Sequence, residues 1–388
     1  MEGVGWHSSI SKVVIVAPYC RPDDERQKLC KFLKNKLRVR KVVFIGHPLP
    51  HRVIQISLLC IWEGEECRKK IIHRRGHKGF LSWIVDVFIT LYFILKLRCL
   101  FDMYIGSGTW FQTIIGLFLR RLGIVKKVVF WTTDYSISRY RNPALNRIYL
   151  KFDEICARQA DYVWNPTPRV IEARLKSGYK IDKNRQIIVP YGIELSDIES
   201  LHVEELLPDS IVYVGAIRKH GFELLIDALP EVIRKRPRVK VTVINYETFP
   251  AELKKRISDQ QLEDYFEILG YIHDGKKLER IIQKRKVGVA LYPPGFKMYN
   301  DPARPKTFLA KGLPVIITNV TSIAEDIKEE KAGIVIKYDK KELSKAILKL
   351  LEDEHFFKEC RQNAIKLASR YNIETIFVNA FQKMGMKL

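Results

Sequence analysis

Short apolar runs alternate with amphipathic segments of helical length along most of the chain. In the first half, runs rich in β-branched residues have the length of buried strands, as at 12–17, 42–45, 103–105, 127–132, 161–164 and 187–190. Between them lie segments with apolar residues at helical spacing, as at 24–37, 112–122 and 146–159. This alternation is typical of parallel sheets in α/β domains.

The same pattern starts again after Gly192. Further strands are predicted at 211–214, 239–244, 266–269, 287–291, 315–318 and 332–336. Helices are predicted between and after them, at 222–235, 251–260, 275–284, 306–311, 341–351, 356–369 and 373–386. A chain of 388 residues suits two domains, so we expect two Rossmann-like, doubly wound domains that face a cleft and meet near residue 190. Ligands of such sheets bind at the carboxyl ends of the strands.

The positive charge is concentrated in one half of the chain. The net charge is +23. Residues 1–190 hold 34 Lys+Arg against 15 Asp+Glu, a net of +19, whereas residues 191–388 hold 33 against 29, a net of +4. Apolar residues make up 47%, which excludes global disorder. The basic half therefore predicts an anionic partner, either nucleic acid, an anionic lipid surface or a phosphorylated substrate.

The cysteines and the first residues indicate a cellular compartment. There are seven cysteines, an odd number with no C-x-x-C pair, which favours unpaired thiols in a reducing compartment and argues against structural zinc. The residues before the first predicted strand lack an apolar leader. We expect a cytoplasmic protein.

One apolar segment, residues 79–95, has two interpretations. It is shorter than the roughly 20 residues of a spanning helix, and Ser82, Asp86 and Thr90 form a narrow polar stripe along it. It is either a core helix or a helix that lies partly in a membrane, with Trp83, Phe88 and Phe93 as anchors. The second interpretation adds a basic flank that would contact anionic lipid, formed by Arg68, Lys69, Lys70, Arg74 and Arg75.

Several ordered motifs resemble those of GT-B glycosyltransferases, especially family 4. Residues 213–228 read YVGAIRKHGFELLIDA, which is similar to the first strand, loop and helix of the family's donor domain. Residues 303–318 read ARPKTFLAKGLPVIIT and resemble the family pattern P-L-K-x-F-E-x-M-A-x-G-K-P-V-V-A-T. Shorter similar segments are LGYI at 269–272, VPYGIE at 189–194 and ARQADYVWNPTP at 157–168. The resemblance extends over most of residues 100–385.

The resemblance implies how the chain is divided into domains, but the sequence lacks two glutamates that are typical of the family. It implies an acceptor-binding domain at 1–190, a nucleotide-sugar donor domain at 191–370 and a terminal helix at 371–388 that crosses back to the first domain. The charge of residues 1–190 makes the first of these the membrane-facing domain. Family 4 carries two glutamates eight positions apart, and this chain has Tyr299 and Thr307 at those positions. The sequence therefore resembles an outlying branch of the family. It is also similar around Gly312-Leu313-Pro314 to the xanthan-pathway glucuronosyltransferase, which has a basic residue where Arg304 stands.

Stabilising the diphosphate that leaves a nucleotide-sugar requires fixed positive charge or helix N-terminal amides. For this task we expect Arg218, Lys219 and Arg304, together with the amides of Lys306 and Thr307 behind Pro305 at the start of a helix. The resemblance places Gly270, Tyr271 and Ile272 at the nucleotide base, and Gly215, Tyr299, Asp301 and Glu194 at the sugar or the cleft. Arg218 and Lys219 also fit solvated loop charges.

The remaining chemistry needs a base, and we expect it to need no cofactor and no obligatory metal. No P-loop pattern and no acidic cluster at metal spacing is present. Asp134 directly follows a predicted strand of the acceptor half and is the candidate general base, although a turn or cap aspartate fits equally well. Asp23 and Asp24, after the first strand, are weaker alternatives that suit a helix cap.

We therefore expect an enzyme that moves a hexosyl group from a nucleotide-sugar to a lipid-linked saccharide or glycolipid acceptor in cell-surface glycan synthesis. Family 4 implies retention of the anomeric configuration, and the other resemblance leaves inversion open. The charge places the enzyme peripherally on the inner face of the cell membrane. The rivals are a nucleic-acid-binding protein, which the absence of RNP aromatics and of a G-x-x-G clamp disfavours, and a GT-B epimerase or non-catalytic nucleotide-sugar binder.

Overall fold

The chain divides into two compact units. A computed structural model describes residues 10–19, 24–48, 56–73, 80–108, 110–194, 196, 202–215, 219–245, 249–272, 274–296 and 298–386. The first unit is made of residues 1–190 and 374–388, and the second of residues 191–373.

The first unit is an eight-stranded sheet with helices on its faces. Its strands are β1 Lys12–Tyr19, β2 Lys41–Pro48, β3 Ile56–Glu63, β4 Glu66–His73, β5 Phe101–Gly108, β6 Val125–Thr132, β7 Tyr162–Asn165 and β8 Gln186–Ile188. Its helices are α1 Glu25–Asn35, α2 Phe80–Lys96, α3 Trp110–Arg121, α4 Pro143–Gln159 and α5 Pro168–Lys176. The strand order is β4-β3-β2-β1-β5-β6-β7-β8.

The sheet of the first unit is mixed, whereas the sequence pattern predicted parallel strands. β3 runs antiparallel to β2 and to β4, and the turn between β3 and β4 contains Gly64 at φ 57°. β4 is an edge strand whose residues are nearly all exposed and half of them charged, a composition that discourages pairing with other chains. β4 was not predicted, because a strand exposed along its length shows no alternation of apolar and polar residues. β3 was missed although it is an apolar run of the length of a strand.

The second unit is a six-stranded sheet with all strands parallel. Its strands are β9 Ser210–Val214, β10 Lys240–Ile244, β11 Phe266–Gly270, β12 Val287–Ala290, β13 Val315–Thr318 and β14 Gly333–Ile336. Its helices are α6 Lys219–Lys235, α7 Ala251–Asp259, α8 Gly275–Gln283, α9 Ala303–Ala310, α10 Ile323–Glu329, α11 Lys340–Glu352 and α12 Glu354–Arg370. The strand order is β11-β10-β9-β12-β13-β14, and apolar clusters cover both faces of the sheet.

The last helix, α13 Ile373–Lys383, begins at the end of the second unit and contributes its remaining residues to the first. Phe377 and Phe381 are buried, and their rings lie against Phe32 of α1 at centroid distances of 5.5 and 5.9 Å. Phe381 also meets Trp164 of β7 edge-on at 5.5 Å. Helix α13 is therefore part of the first unit's core.

Candidate donor site

The strand order of the second unit reverses beside β9. β10 and β11 lie on one side of β9, and β12 and β13 lie on the other. At such a switch point, the loops leaving the carboxyl ends of adjacent strands diverge and leave a crevice in which ligands bind. Gly215 follows β9 at this point, and Leu291-Tyr292 follows β12.

The guanidinium of Arg304 lies directly against Gly215. A Cβ atom built on Gly215 would come within 1.4 Å of Arg304 Nη2 and 2.0 Å of its Cζ. Gly215 also has φ 128°, a backbone conformation that favours glycine. Only glycine therefore leaves room for the arginine, and the structure brings together two residues that the sequence placed in the donor site.

Two buried tyrosines accompany Arg304. The Arg304 guanidinium lies 5.7 Å from the ring centroid of Tyr213 on β9. Burial raises the pKa of Tyr213 and raises that of Tyr292 to about 12, and in both cases the nearby Arg304 cation opposes the rise. Both phenols are therefore neutral at physiological pH. Sequence reasoning missed both tyrosines, although one lies two residues before Gly215 and the other follows a predicted strand.

Arg304 also belongs to the first turn of α9. That helix begins at Ala303 behind Pro302, three residues earlier than predicted. The amides left without an intrahelical acceptor belong to Ala303 and Arg304, because Pro302 and Pro305 have no N–H. The prediction that the Lys306 and Thr307 amides face an anion is wrong, since both residues lie in the second turn.

The side chain of Lys306 is engaged in a buried ion pair. Its Nζ lies 2.6 Å from Asp301 Oδ2, donates to the backbone carbonyl of Tyr191 at 2.7 Å, and sits 3.8 Å from the ring centroid of Tyr371. Asp301 also accepts the Tyr191 amide, and its burial raises the pKa of its carboxyl group. The predictions that Lys306 binds phosphate and that Asp301 contacts the sugar are therefore wrong. The two side chains form a structural ion pair. Thr307 Oγ1 donates within the helix to the Ala303 carbonyl at 3.3 Å.

The residues expected at the nucleotide base lie at the end of β11. Gly270 has φ 66°, and its carbonyl accepts the Asn245 amide at 3.2 Å. Tyr271 is 55% exposed, whereas Ile272 packs against the apolar cluster of the second unit. Tyr299 and Glu194 are half-buried. Arg218 and the side chain of Lys219 lie outside the described residues, as do Arg74 and Arg75.

In the first unit, Asp134 lies in the loop after β6. Its side chain is exposed, and its Oδ2 lies 3.3 Å from Arg139 Nη1. The first sheet has its own switch point between β1 and β5. There Arg26 donates to Ser107 Oγ at 3.1 Å and to Thr133 Oγ1 at 3.2 Å, a cluster that sequence reasoning did not find. Asp24 caps α1, as expected, by accepting the amides of Arg26 and Gln27.

The residues proposed to contact a membrane differ in their surroundings. Phe88 is 67% exposed, whereas Trp83 packs against Trp110 and Phe111. The expectation that Phe93 is an anchor is wrong, because it is buried in the core of the first unit. Of the basic flank, Arg68 pairs with Glu63 at 2.8 Å, and Lys70 Nζ lies 5.9 Å from the ring centroid of Tyr92. Lys69 is exposed on β4.

Two absences apply to the described part of the chain. Within it, no helix combines the length and the apolarity needed to cross a bilayer. It also contains no cluster of three or more His, Cys, Asp or Glu side chains that could hold a metal ion. Metal independence stays a prediction.

Comparisons with known proteins agree with this architecture. Residues 208–353 match the family model described as "Glycosyl transferases group 1". No protein of curated function matches the sequence.

Solved structures superpose on nearly the whole chain. Sucrose-phosphate synthase from Thermosynechococcus elongatus is 16% identical, with a TM-score of 0.74 over 96% of this chain and 98% of that one. Anabaena HepE in complex with UDP-glucose is 14% identical, with a TM-score of 0.69 over 97% and 100%. WaaG, a glycosyltransferase involved in lipopolysaccharide biosynthesis, is 14% identical, with a TM-score of 0.66 over 95% and 98%. The two Rossmann-like units therefore have the GT-B fold.

Proposed function

We propose that this protein transfers a hexosyl group from a nucleotide-diphosphate sugar to a lipid-linked saccharide or glycolipid during cell-surface glycan synthesis. The observation that carries the proposal is the contact between Arg304 and Gly215 at the switch point of the second sheet. Both residues lie within the segment that matches the group 1 glycosyltransferase model.

Arg304 and the first turn of α9 suit a leaving diphosphate. The guanidinium carries a permanent charge and offers forked donors that match phosphate oxygens. The adjacent helix N-terminus adds amides and a partial positive charge. Together they stabilise negative charge that grows as the bond between sugar and phosphate breaks. We propose that Arg218 and Lys219, which follow β9 in the sequence, complete this set and that the reaction requires no metal.

The sugar acceptor is assigned to the first unit. Asp134 follows a strand at its carboxyl end, where acceptor groups are expected. We propose that its carboxylate accepts or orients the acceptor hydroxyl. The resemblance to family 4 supports retention of the anomeric configuration, and in a retaining reaction Asp134 orients the acceptor.

The proposal of a lipid-linked acceptor rests on the uneven distribution of charge between the two halves of the chain. A diphosphate needs only a few cations, yet the first half carries a net +19 against +4 for the second. Each basic residue near an anionic bilayer contributes roughly 1 kcal/mol. The neighbour WaaG acts in lipopolysaccharide biosynthesis, which is consistent with a glycolipid acceptor. We propose a peripheral enzyme on the cytoplasmic face of the membrane.

Thermal unfolding with a panel of nucleoside diphosphates and nucleotide-sugars tests the donor site. A ligand that binds only the native state at a hundred times its Kd stabilises that state by about 2.7 kcal/mol. We expect one nucleotide to raise the melting temperature, and its sugar conjugate to be consumed only when extracted membrane lipid is added. Donor turnover without a glycosylated lipid would indicate an epimerase or hydrolase. No shift with any nucleotide, together with salt-sensitive RNA binding, would reject the proposal in favour of a nucleic-acid-binding protein.

A further inference from the structure

Helix α2 is oriented with its polar side toward the protein interior. Ser82, Asp86 and Thr90 are 3%, 5% and 0% exposed. Two of them contact the buried His47 of β2, whose Nε2 lies 2.7 Å from Thr90 Oγ1 and whose Nδ1 lies 3.5 Å from Asp86 Oδ1. A helix on the surface of a soluble domain normally turns its polar side to water and its apolar side to the core. In α2 the polar stripe is buried against the sheet, and apolar residues are exposed on the opposite side.

The outer side of α2 is a line of large apolar residues. Ile84, Phe88, Tyr92 and Leu95 are 36%, 67%, 50% and 54% exposed and recur at helical spacing along one side. Lys96 donates to the Tyr92 hydroxyl at 3.3 Å and extends this side at its end. The line leads to a cavity of about 240 Å³ whose walls include Leu95, Arg98 and Leu100.

The two helices next to α2 also carry exposed apolar residues. Trp83 of α2 packs on Phe111 of α3, and Trp110 of α3 stacks on Phe152 of α4 at 4.5 Å, so the three helices form one layer. Other apolar residues of α3 and α4, and of the segments that directly follow α2 and α3, are about half exposed, namely Leu100, Phe118, Leu122, Leu145 and Ile148. Isolated apolar residues are normal on protein surfaces, but the line of four on α2, with more on the same layer of helices, indicates a partner.

The charges of the same layer are almost all positive. Its exposed basic residues are Lys96, Arg98, Arg121, Arg147, Lys151 and Arg158. Of its carboxylates, Asp86 and Asp153 are buried, and Asp153 is paired with Arg174 at 2.8 Å. Glu154 pairs with Lys151 at 3.1 Å. An apolar surface with a basic surround matches an anionic bilayer. A second copy fits it poorly, because a two-fold interface would oppose the same positive charges.

From these observations we propose that the layer of α2, α3 and α4 docks on an anionic bilayer, with Phe88, Tyr92 and Leu95 buried among the lipids. The docking surface is inferred independently of the proposed function. Only its role, which is to hold the enzyme where a lipid-linked acceptor lies, rests on that function. It moves the main contact from the basic β4 strand to the helical layer. Because apolar burial contributes, part of the binding should persist at salt concentrations that screen the charges.

Co-sedimentation of the full chain with vesicles tests the proposal. Vesicles of phosphatidylcholine alone are compared with vesicles that contain phosphatidylglycerol. We expect binding to the anionic vesicles, and the double variant Phe88→Ser/Leu95→Ser should lower the partition coefficient by about tenfold or more. Leu207→Ser, which replaces an exposed leucine of the second unit, is the matched control and should bind as the unmodified chain does. Lys96→Gln/Arg121→Gln should weaken binding chiefly at low salt.

Two results would overturn the proposal. One is equal binding by the Phe88→Ser/Leu95→Ser variant and the unmodified chain. The other is sedimentation velocity without lipid that shows a dimer which the same variant dissociates, because the patch would then be a protein interface. Calorimetric titration with UDP and other nucleoside diphosphates separates this test from that of the donor site. Vesicle binding without nucleotide binding would support the docking surface and reject the proposed reaction. Nucleotide binding without vesicle binding would reject only the docking surface.

Discussion

At the residue scale, the fit between Arg304 and Gly215 is a steric constraint that can be tested. The two residues are far apart in sequence and meet only because α9 begins beside the end of β9. Any side chain at position 215 must displace the guanidinium, since its Cβ would lie 1.4 Å from Nη2. The Arg304 guanidinium can therefore occupy its position only because Gly215 has no Cβ atom.

Gly215→Ala should therefore impair nucleotide binding as Arg304→Ala does. Losing the charge-assisted hydrogen bonds of Arg304 should weaken binding of the nucleoside diphosphate by about 1.5–3 kcal/mol. Isothermal titration calorimetry with the nucleotide selected by the thermal screen measures both variants. Gly275→Ala is the control, because no atom lies within 4 Å of a Cβ at that position. Unchanged affinity in Arg304→Ala would remove this residue from the donor site.

Asp134 should matter for transfer more than for donor binding. Asp134→Asn keeps the size of the side chain but removes its basicity, and if the carboxylate acts as the general base we expect turnover to fall by about a hundredfold, the usual contribution of such a base. The affinity for the nucleotide should not change. A smaller loss is expected if the carboxylate only orients the acceptor.

Arg139→Gln is the control for that variant, because it removes the ion-pair partner of Asp134 and retains the carboxylate. Turnover is measured under saturating donor. If Asp134→Asn turned over at a near-normal rate while Arg139→Gln did not, Arg139 would be the functional member of this pair and Asp134 would be excluded as the base.

At the scale of the element, α9 is anchored by the pair of Lys306 and Asp301. Both side chains are almost fully buried. Lys306→Met would leave the carboxylate buried without its cation, and we expect the free energy of unfolding to fall by about 3–5 kcal/mol. The double variant Asp301→Leu/Lys306→Met should recover much of that loss, as measured by urea unfolding. Equal losses in the single and double variants would contradict the view that the unpaired charge is the cause.

The sequence predicted most of the longer elements and missed some others, since the nine residues of α5 and the seven of α10 show only about two turns of a helical pattern. Most parallel strands and amphipathic helices lie within a few residues of their predicted bounds. The β3–β4 hairpin and the short helices α5 and α10 were missed, and α9 was predicted to start too late because proline is tolerated throughout a helix's first turn.

Helix α2 illustrates what periodicity leaves open. The stripe of Ser82, Asp86 and Thr90 was visible in the sequence, but which side it faced depends on His47 of β2. For the candidate site, the motifs led to Arg304 and Gly215. They misassigned Lys306, because a lysine beside a phosphate and a lysine buried on an aspartate look alike in a sequence.

At the scale of the whole molecule, the chain passes from the first unit to the second after residue 190 and returns at α13. The returning helix is joined to the second unit at its start, where Ile373 donates its amide to the Ile193 carbonyl at 2.8 Å. Its later residues complete the aromatic core of the first unit through Phe377 and Phe381. Helix α13 thus completes the core of a unit whose other described elements all precede residue 190.

Phe381→Ala should destabilise the first unit selectively. The phenylalanine is fully buried between Phe32 and Trp164, and truncating such a residue costs about 3–5 kcal/mol because it leaves a cavity. If the two units unfold separately, differential scanning calorimetry will show two transitions, and this variant will lower only one of them. The bound nucleotide should raise only the other, since ligand stabilises the unit that holds its site. Gln382→Ala, at the exposed neighbouring position, should change neither transition. A nucleotide that raised the same transition that Phe381→Ala lowers would place the donor site in the first unit, or would show that the two units unfold as one.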